Sequence, residues 1–132
     1  MNRASLHKIG YGMYIVTAGR DGKFNGQIAN AVIQATSRPA TVAICISKDN
    51  YTHELISTGR KFVITTLTES APMTFIGLFG FKSGRDTDKL KDVRTRAGVT
   101  GLPIILEHAA GFIEAEVFFV SSRRRHTRFL GN

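Results

Sequence analysis

The chain has one cysteine in 132 residues, Cys45, which excludes a disulfide framework and any cysteine-based zinc cluster. No apolar run approaches the ~18 residues that a membrane-spanning helix needs. The opening stretch, Met-Asn-Arg-Ala-Ser-Leu-His-Lys, lacks the apolar segment of a signal peptide. A soluble, cytoplasmic protein is therefore expected. No Gly-x-Gly-x-x-Gly follows a strand, so a dinucleotide-binding fold of that type is excluded. Gly80-Phe81-Lys82-Ser83-Gly84 contains Lys-Ser without the glycine and spacing of a phosphate-binding P-loop. His7, His53, His108 and His126 are scattered without metal-ligand spacing. No nucleophile elbow is present.

What is there suits one domain. Hydrophobic residues make up 42% and charged residues 21%, a balance that folds rather than staying disordered. A chain of this size buries roughly two-thirds of its unfolded surface. The net charge of +8 points to an anionic partner, but it is unevenly placed. Arg123, Arg124, Arg125 and Arg128 fall in the last ten residues; without those four, 14 basic residues face 10 acidic ones, a balance of +4. That remainder suits phosphate-bearing ligands and is equally an ordinary solubility charge.

Many short strands and few helices are expected. Tyr11 to Ala18 is β-branched and aromatic and reads as a strand; the following Asp21-Gly22 is a hairpin turn signal. A second strand is expected over Phe24 to Thr36, ended by Pro39. Thr41 to Ser47 is a nearly continuous apolar run, which suggests a strand covered on both faces and makes Cys45 a core thiol. Asn50 to Gly59 reads as a short helix, capped by Asp49 or Asn50 and closed by Gly59. Phe62 to Leu67 is a strand, Ala71 to Phe79 a second helix opening near Pro72, and Phe81 to Gly101 a long polar loop. Gly111 to Val120 is a last strand with Glu114 and Glu116 on one face. The pattern predicts a small, mainly β, mainly antiparallel barrel with one or two short helices.

Three segments carry more polar and glycine character than folding alone asks for. Asn25-Gly26-Gln27-Ile28-Ala29-Asn30 weakens a strand and suits close approach of a flat ligand; a bulge with solvent-facing amides is the alternative. Ser47-Lys48-Asp49-Asn50-Tyr51-Thr52-His53 delivers a lysine to a helix amino end, which attracts anions, or is a plain helix cap. Phe79-Gly80-Phe81-Lys82-Ser83-Gly84-Arg85-Asp86, followed by Lys89, is either an aromatic wall with a phosphate clamp or a basic loop pinned by two core rings.

In this order, and with Leu6-His7-Lys8-Ile9-Gly10-Tyr11-Gly12-Met13-Tyr14-Ile15-Val16-Thr17, Gln34-Ala35-Thr36-Ser37-Arg38-Pro39 and Phe75-Ile76-Gly77-Leu78-Phe79, these segments resemble the flavin reductase-like family. Within it the likeness is greatest to flavoredoxin-type members and to the flavin reductase domain joined to rubredoxin. The resemblance implies a mainly β, antiparallel Greek-key split β-barrel that binds FMN as a homodimer. It implies that Asn25, Gly26, Gln27, Ile28, Ala29 and Asn30 lie along the flavin ring, continued by Gln34, Ala35 and Thr36. It places Ser47, Lys48, Asn50 and Thr52 about the phosphate, with Ser83, Arg85 and Lys89 closing over it. Electrons would pass from NADH or NADPH through the flavin to free flavin, ferric iron or a rubredoxin-like carrier.

The resemblance is expected to define a barrel over residues 1–120 and to leave residues 121–132 as an atypical arginine-rich segment. His126-Thr127-Arg128-Phe129-Leu130-Gly131 echoes a family strand, and His126 would match a histidine near the nicotinamide. The barrel is expected to be cut short at this end. Two other readings stand beside the flavin one. One is a basic barrel binding single-stranded nucleic acid through its arginines, against which Phe118, Phe119 and Phe129 are expected as strand core. The other is a shortened barrel without catalysis.

Overall fold

A computed structural model of the chain describes Ala4 and residues 10–118. The arginine run, His7, His126, Phe119, Phe129 and the whole of residues 121–132 lie outside the described residues. The elements are β1 (Tyr14–Arg20), β2 (Lys23–Ala29), β3 (Val32–Ser37), β4 (Ala40–Ile44), α1 (Tyr51–Gly59), β5 (Lys61–Leu67), α2 (Met73–Gly80), β6 (Thr95–Ala97), β7 (Pro103–Ile105) and β8 (Ala109–Glu116).

The expected class holds: the fold is mainly β and antiparallel, with two short helices. The described strands form a four-stranded sheet in the order β2-β1-β5-β8 and two separate hairpins, β3-β4 and β6-β7, and not a closed barrel. β1 runs through the middle of the sheet with both faces covered. Its alternate residues serve two cores, because successive side chains of a strand point to opposite faces. Val16 and Ala18 join Phe62, Ile64 and the α1 residues Leu55 and Ile56 on one face. Ile15 joins the α2 residues Phe75 and Phe79 with Val93 and Ile105 on the other. Each fully buried aliphatic or phenyl side chain contributes ~1.5–3 kcal/mol relative to exposure.

The β1-β2 hairpin turns on Asp21 and Gly22, both at positive φ (52° and 78°), as the primed two-residue turn requires. α1 keeps Asn50 as the residue before its first turn, but the Asn50 side chain makes no capping hydrogen bond. Its other end departs from expectation. Arg60, not a glycine, takes the left-handed conformation (φ 62°) and donates its N–H to Ile56 O. Gly59 is needed for room: a Cβ there would stand 2.3 Å from the Gly19 carbonyl oxygen of β1.

Four expectations are corrected. The single strand over Phe24 to Thr36 is two strands, because the chain leaves the main sheet after Ala29 and starts a new hairpin at Val32. The Thr41 to Ser47 run is shorter and covered on one face only. Val42, Ile44 and Ile46 pack toward α1, while the alternate residues Ala43 and Cys45 are exposed, so Cys45 is not a core thiol. The Phe81 to Gly101 segment contains β6 and buries Lys89 and Val93. Phe118 is exposed rather than part of a strand core. Among the described residues no helix is long and apolar enough to cross a membrane, and no cluster of potential metal ligands exists.

Candidate functional site

β2 is an edge of the main sheet, and a cleft of about 250 Å³ lies over that edge. Its walls come from Asn25, Gln27 and Ile28 of β2, from Asp49, Asn50 and Tyr51 at the amino end of α1, and from the segment Phe79 to Gly84 with Lys89. Parts of all three sequence segments singled out above therefore meet although they lie far apart in the chain.

The order of β2 is regular: every residue from Lys23 to Ala29 pairs in register with β1, without a bulge. Its amides are not turned to solvent. Asn25 is 3% exposed and donates its Nδ2 to Thr52 Oγ1 at 2.9 Å, tying β2 to the first turn of α1. The glycine at 26 answers to packing. A Cβ there would stand 3.1 Å from the Phe79 ring and 3.3 Å from Ile15, so the small residue admits Phe79 to the core. Gly84 has a similar reason, since its Cβ would run into the Asn25 amide.

Lys89 is the most unusual group at the site. It is 4% exposed and, among the described residues, forms no ion pair. Its Nζ donates to the carbonyl oxygens of Gly26 and Phe79, each at 3.0 Å. Burial pushes its pKa below the ordinary lysine value. Because a strand residue's N–H and C=O point to the same side, the Gly26 contact shows that Gly26 and Ile28 turn their backbone groups away from β1 and off the sheet edge. Gln27 and Asn25 add side-chain acceptors. Gln27 Oε1 and Asn25 Oδ1 are buried and have no hydrogen-bond donor among the described residues.

Arg85 leaves the loop toward α1. Its Nη2 lies 2.8 Å from Glu54 Oε2, and its guanidinium carbon stands 5.0 Å from the Tyr51 ring centre. Ser83 Oγ accepts the Arg85 backbone N–H at 3.2 Å. Ser47 and Lys48 are exposed just before α1, and Ser47 Oγ accepts the Asp49 N–H at 3.4 Å.

Of the expected site residues, Asn25, Gln27, Ile28, Asn50, Ser83 and Lys89 line the cleft. Gly26, Ala29 and Thr52 are buried and do not line it. Asn30, Ser47 and Lys48 lie outside its lining, and Arg85 lines a neighbouring, wider groove of about 660 Å³. Gln34, Ala35 and Thr36 sit apart on the exposed β3-β4 hairpin. There the Thr36 hydroxyl bonds Pro39 O at 2.6 Å, and the register shifts between Gln34 and Thr36. Sequence reasoning missed Tyr51 as a site residue, although an aromatic at the first turn of a helix that follows a lysine was a usable signal.

The family model for the flavin reductase like domain matches residues 6–132. Over 131 residues the chain is 42% identical to the high molecular weight rubredoxin of Moorella thermoacetica, covering 99% of this chain and 57% of that protein. It is 40% identical over 131 residues to the ferric-chelate reductase (NAD(P)H) of Archaeoglobus fulgidus, covering 99% of this chain and 78% of that one. Among solved structures its fold is similar to the FMN-binding protein from Thermus thermophilus, with a TM-score of 0.79 at 23% identity over 89% of this chain and 65% of that chain.

Proposed function

Because the chain belongs to the flavin reductase-like family, we propose that it binds FMN without a covalent link and acts as an oxidoreductase. Electrons pass from NADH or NADPH to an acceptor, for which free flavin, ferric iron and a rubredoxin-like carrier are the candidates. The reading includes a homodimer and a cytoplasmic location.

The observation that carries it is the unsatisfied polar edge of the cleft. Buried acceptors without donors are costly unless a ligand completes them. The pyrimidine side of a flavin presents one N–H between two carbonyls. The residues present fit that alternation: Gln27 Oε1 or Asn25 Oδ1 would receive the N–H, and the outward backbone N–H groups of β2 would serve the carbonyls. Ile28, with the largely exposed Phe81, would flank the ring. The amino end of α1, with Asn50, Thr52 and Lys48 beside it, would hold the phosphate. Bound there, the cofactor supplies the hydride and electron chemistry, and the protein supplies orientation and electrostatics.

The dimer is supported by apolar residues that a monomer leaves in water. Ile33 is 62% exposed on β3, Ile113 is 51% exposed on β8, and Phe118 is 96% exposed. The nucleic-acid reading is not favoured, since the match to the flavin reductase like domain over residues 6–132 supports flavin-dependent electron transfer. Reconstitution with FMN, followed by gel filtration with detection at the flavin bands, tests the proposal. A yellow dimer is expected, and a colourless monomer overturns it.

A further inference from the structure

We propose that Lys89 is a positioning residue whose ammonium poises the cleft to favour the reduced over the oxidised flavin. The inference rests on the flavin reading above and deepens it.

Three observations converge on Lys89. It is buried on the wall of the cleft. Among the described residues it has no acidic partner, only the carbonyls of Gly26 and Phe79, so its charge is balanced by dipoles and not cancelled. Phe79 lies in the last turn of α2, whose carbonyl end carries the negative pole of the helix. Arg85 and Glu54 pair with each other. An ammonium has three N–H groups, and two are spent on these carbonyls, which leaves one donor on a residue that lines the cleft.

A protein that only needed to tie β2 to α2 would meet the requirement with a neutral donor at lower desolvation cost. A buried cation does something a neutral donor cannot. A hydride brings two electrons and one proton, so a neutral ring that receives it gains one negative charge, while the nicotinamide that gave it becomes cationic. A fixed positive charge in a poorly screened wall stabilises the ring after this transfer more than before it. The same two carbonyl bonds fix the ammonium, so little reorganisation accompanies the change. They also hold Gly26, and with it the outward-facing backbone of β2, in place.

The test uses the full chain loaded with FMN, and the variants Lys89→Met and Lys89→Gln. Met keeps the length and apolar stem without a donor; Gln keeps a donor without the charge. The midpoint potential is measured by equilibration with a reference dye, and oxidised-FMN affinity by fluorescence titration. Both variants are expected to lose at least roughly tenfold in preference for reduced over oxidised FMN, a lowering of about 30 mV for a two-electron couple. Variants that bind FMN at the wild-type potential overturn the assignment and leave Lys89 a structural tie. A second measurement needs no variant: with ¹⁵N-labelled lysine, one protected ammonium resonance of the wild-type protein is expected to shift between oxidised and reduced FMN. The absence of such a shift equally overturns the assignment. Wild-type protein that takes up no FMN overturns the flavin reading itself, and the assignment with it.

Discussion

Arg85 and Glu54 hold each other beside the cleft, with Nη2 and Oε2 2.8 Å apart and the guanidinium over the Tyr51 ring. The pair joins the loop that follows α2 to the first turn of α1, and both side chains are about half exposed. Its contribution to folding is therefore small, at most ~1 kcal/mol. Arg85→Ala is expected to leave the melting temperature nearly unchanged while weakening FMN more than riboflavin. Glu54→Gln frees the guanidinium and is expected to tighten FMN but not riboflavin. Parallel titrations with the two ligands check both, and equal changes for the two would place Arg85 away from the phosphate.

Lys48 precedes the amino end of α1 with no ion pair of its own among the described residues. Lys48→Ala is expected to cost FMN roughly 1.5–3 kcal/mol of binding, the range of a charge-assisted contact. That corresponds to roughly ten- to a hundredfold in Kd. Riboflavin, which lacks the phosphate, is expected to bind as before. Fluorescence quenching of each ligand measures the difference.

Gly59 brings α1 close against the backbone of β1. A methyl group there would meet the Gly19 carbonyl oxygen at 2.3 Å, and backbone cannot rotate out of the way as a side chain does. Gly59→Ala is expected to destabilise the protein by ~1–3 kcal/mol, the usual cost of overpacking. Urea unfolding should show a lower midpoint with an unchanged slope.

Glu114 fastens the turn between β6 and β7 from the neighbouring strand. Its carboxylate accepts the Thr100 hydroxyl at 2.6 Å, the Thr100 N–H at 3.1 Å and the Val99 N–H at 3.2 Å. The Thr100 hydroxyl first, and then the two N–H groups with Arg96, hold its pKa below the ordinary glutamate value. A lowered native pKa means that the unfolded chain takes up the proton first as acid is added. The stabilisation is then complete above the ordinary glutamate pKa and disappears as pH falls through the lowered native value. Glu114→Gln is expected to lower the melting temperature at neutral pH and to flatten its decline in acid. Melting curves recorded from neutral to acidic pH decide this, and parallel curves for both proteins would contradict it.

Local chemistry was legible in the sequence where a few neighbouring residues set the geometry. Asp21-Gly22 announces its turn because positive φ at two successive positions is a property of those residues. The apolar run around Cys45 was misread because composition says that a strand is apolar, not which sheet will cover it. Only the separation of the β3-β4 hairpin from the main sheet leaves Cys45 in the open. The site shows the same division. Its segments were recognisable as polar stretches in an unusual order, yet the reasons for individual residues lay elsewhere in the chain. Gly26 is small on account of Phe79, and Lys89 finds its partner 63 positions away. Neither contact leaves a mark in the adjacent sequence.

The lysine bound to Gly26 also guards the border of the sheet. An edge strand with free carbonyls is a template on which a foreign strand can add, the first step toward aggregation. On β2 that template is already occupied in the middle: an incoming strand would have to displace the Nζ contact at Gly26 before its own ladder could register. Partly folded chains are thus kept from one flank of the sheet by a single side chain, and its loss would first be seen as turbidity on heating.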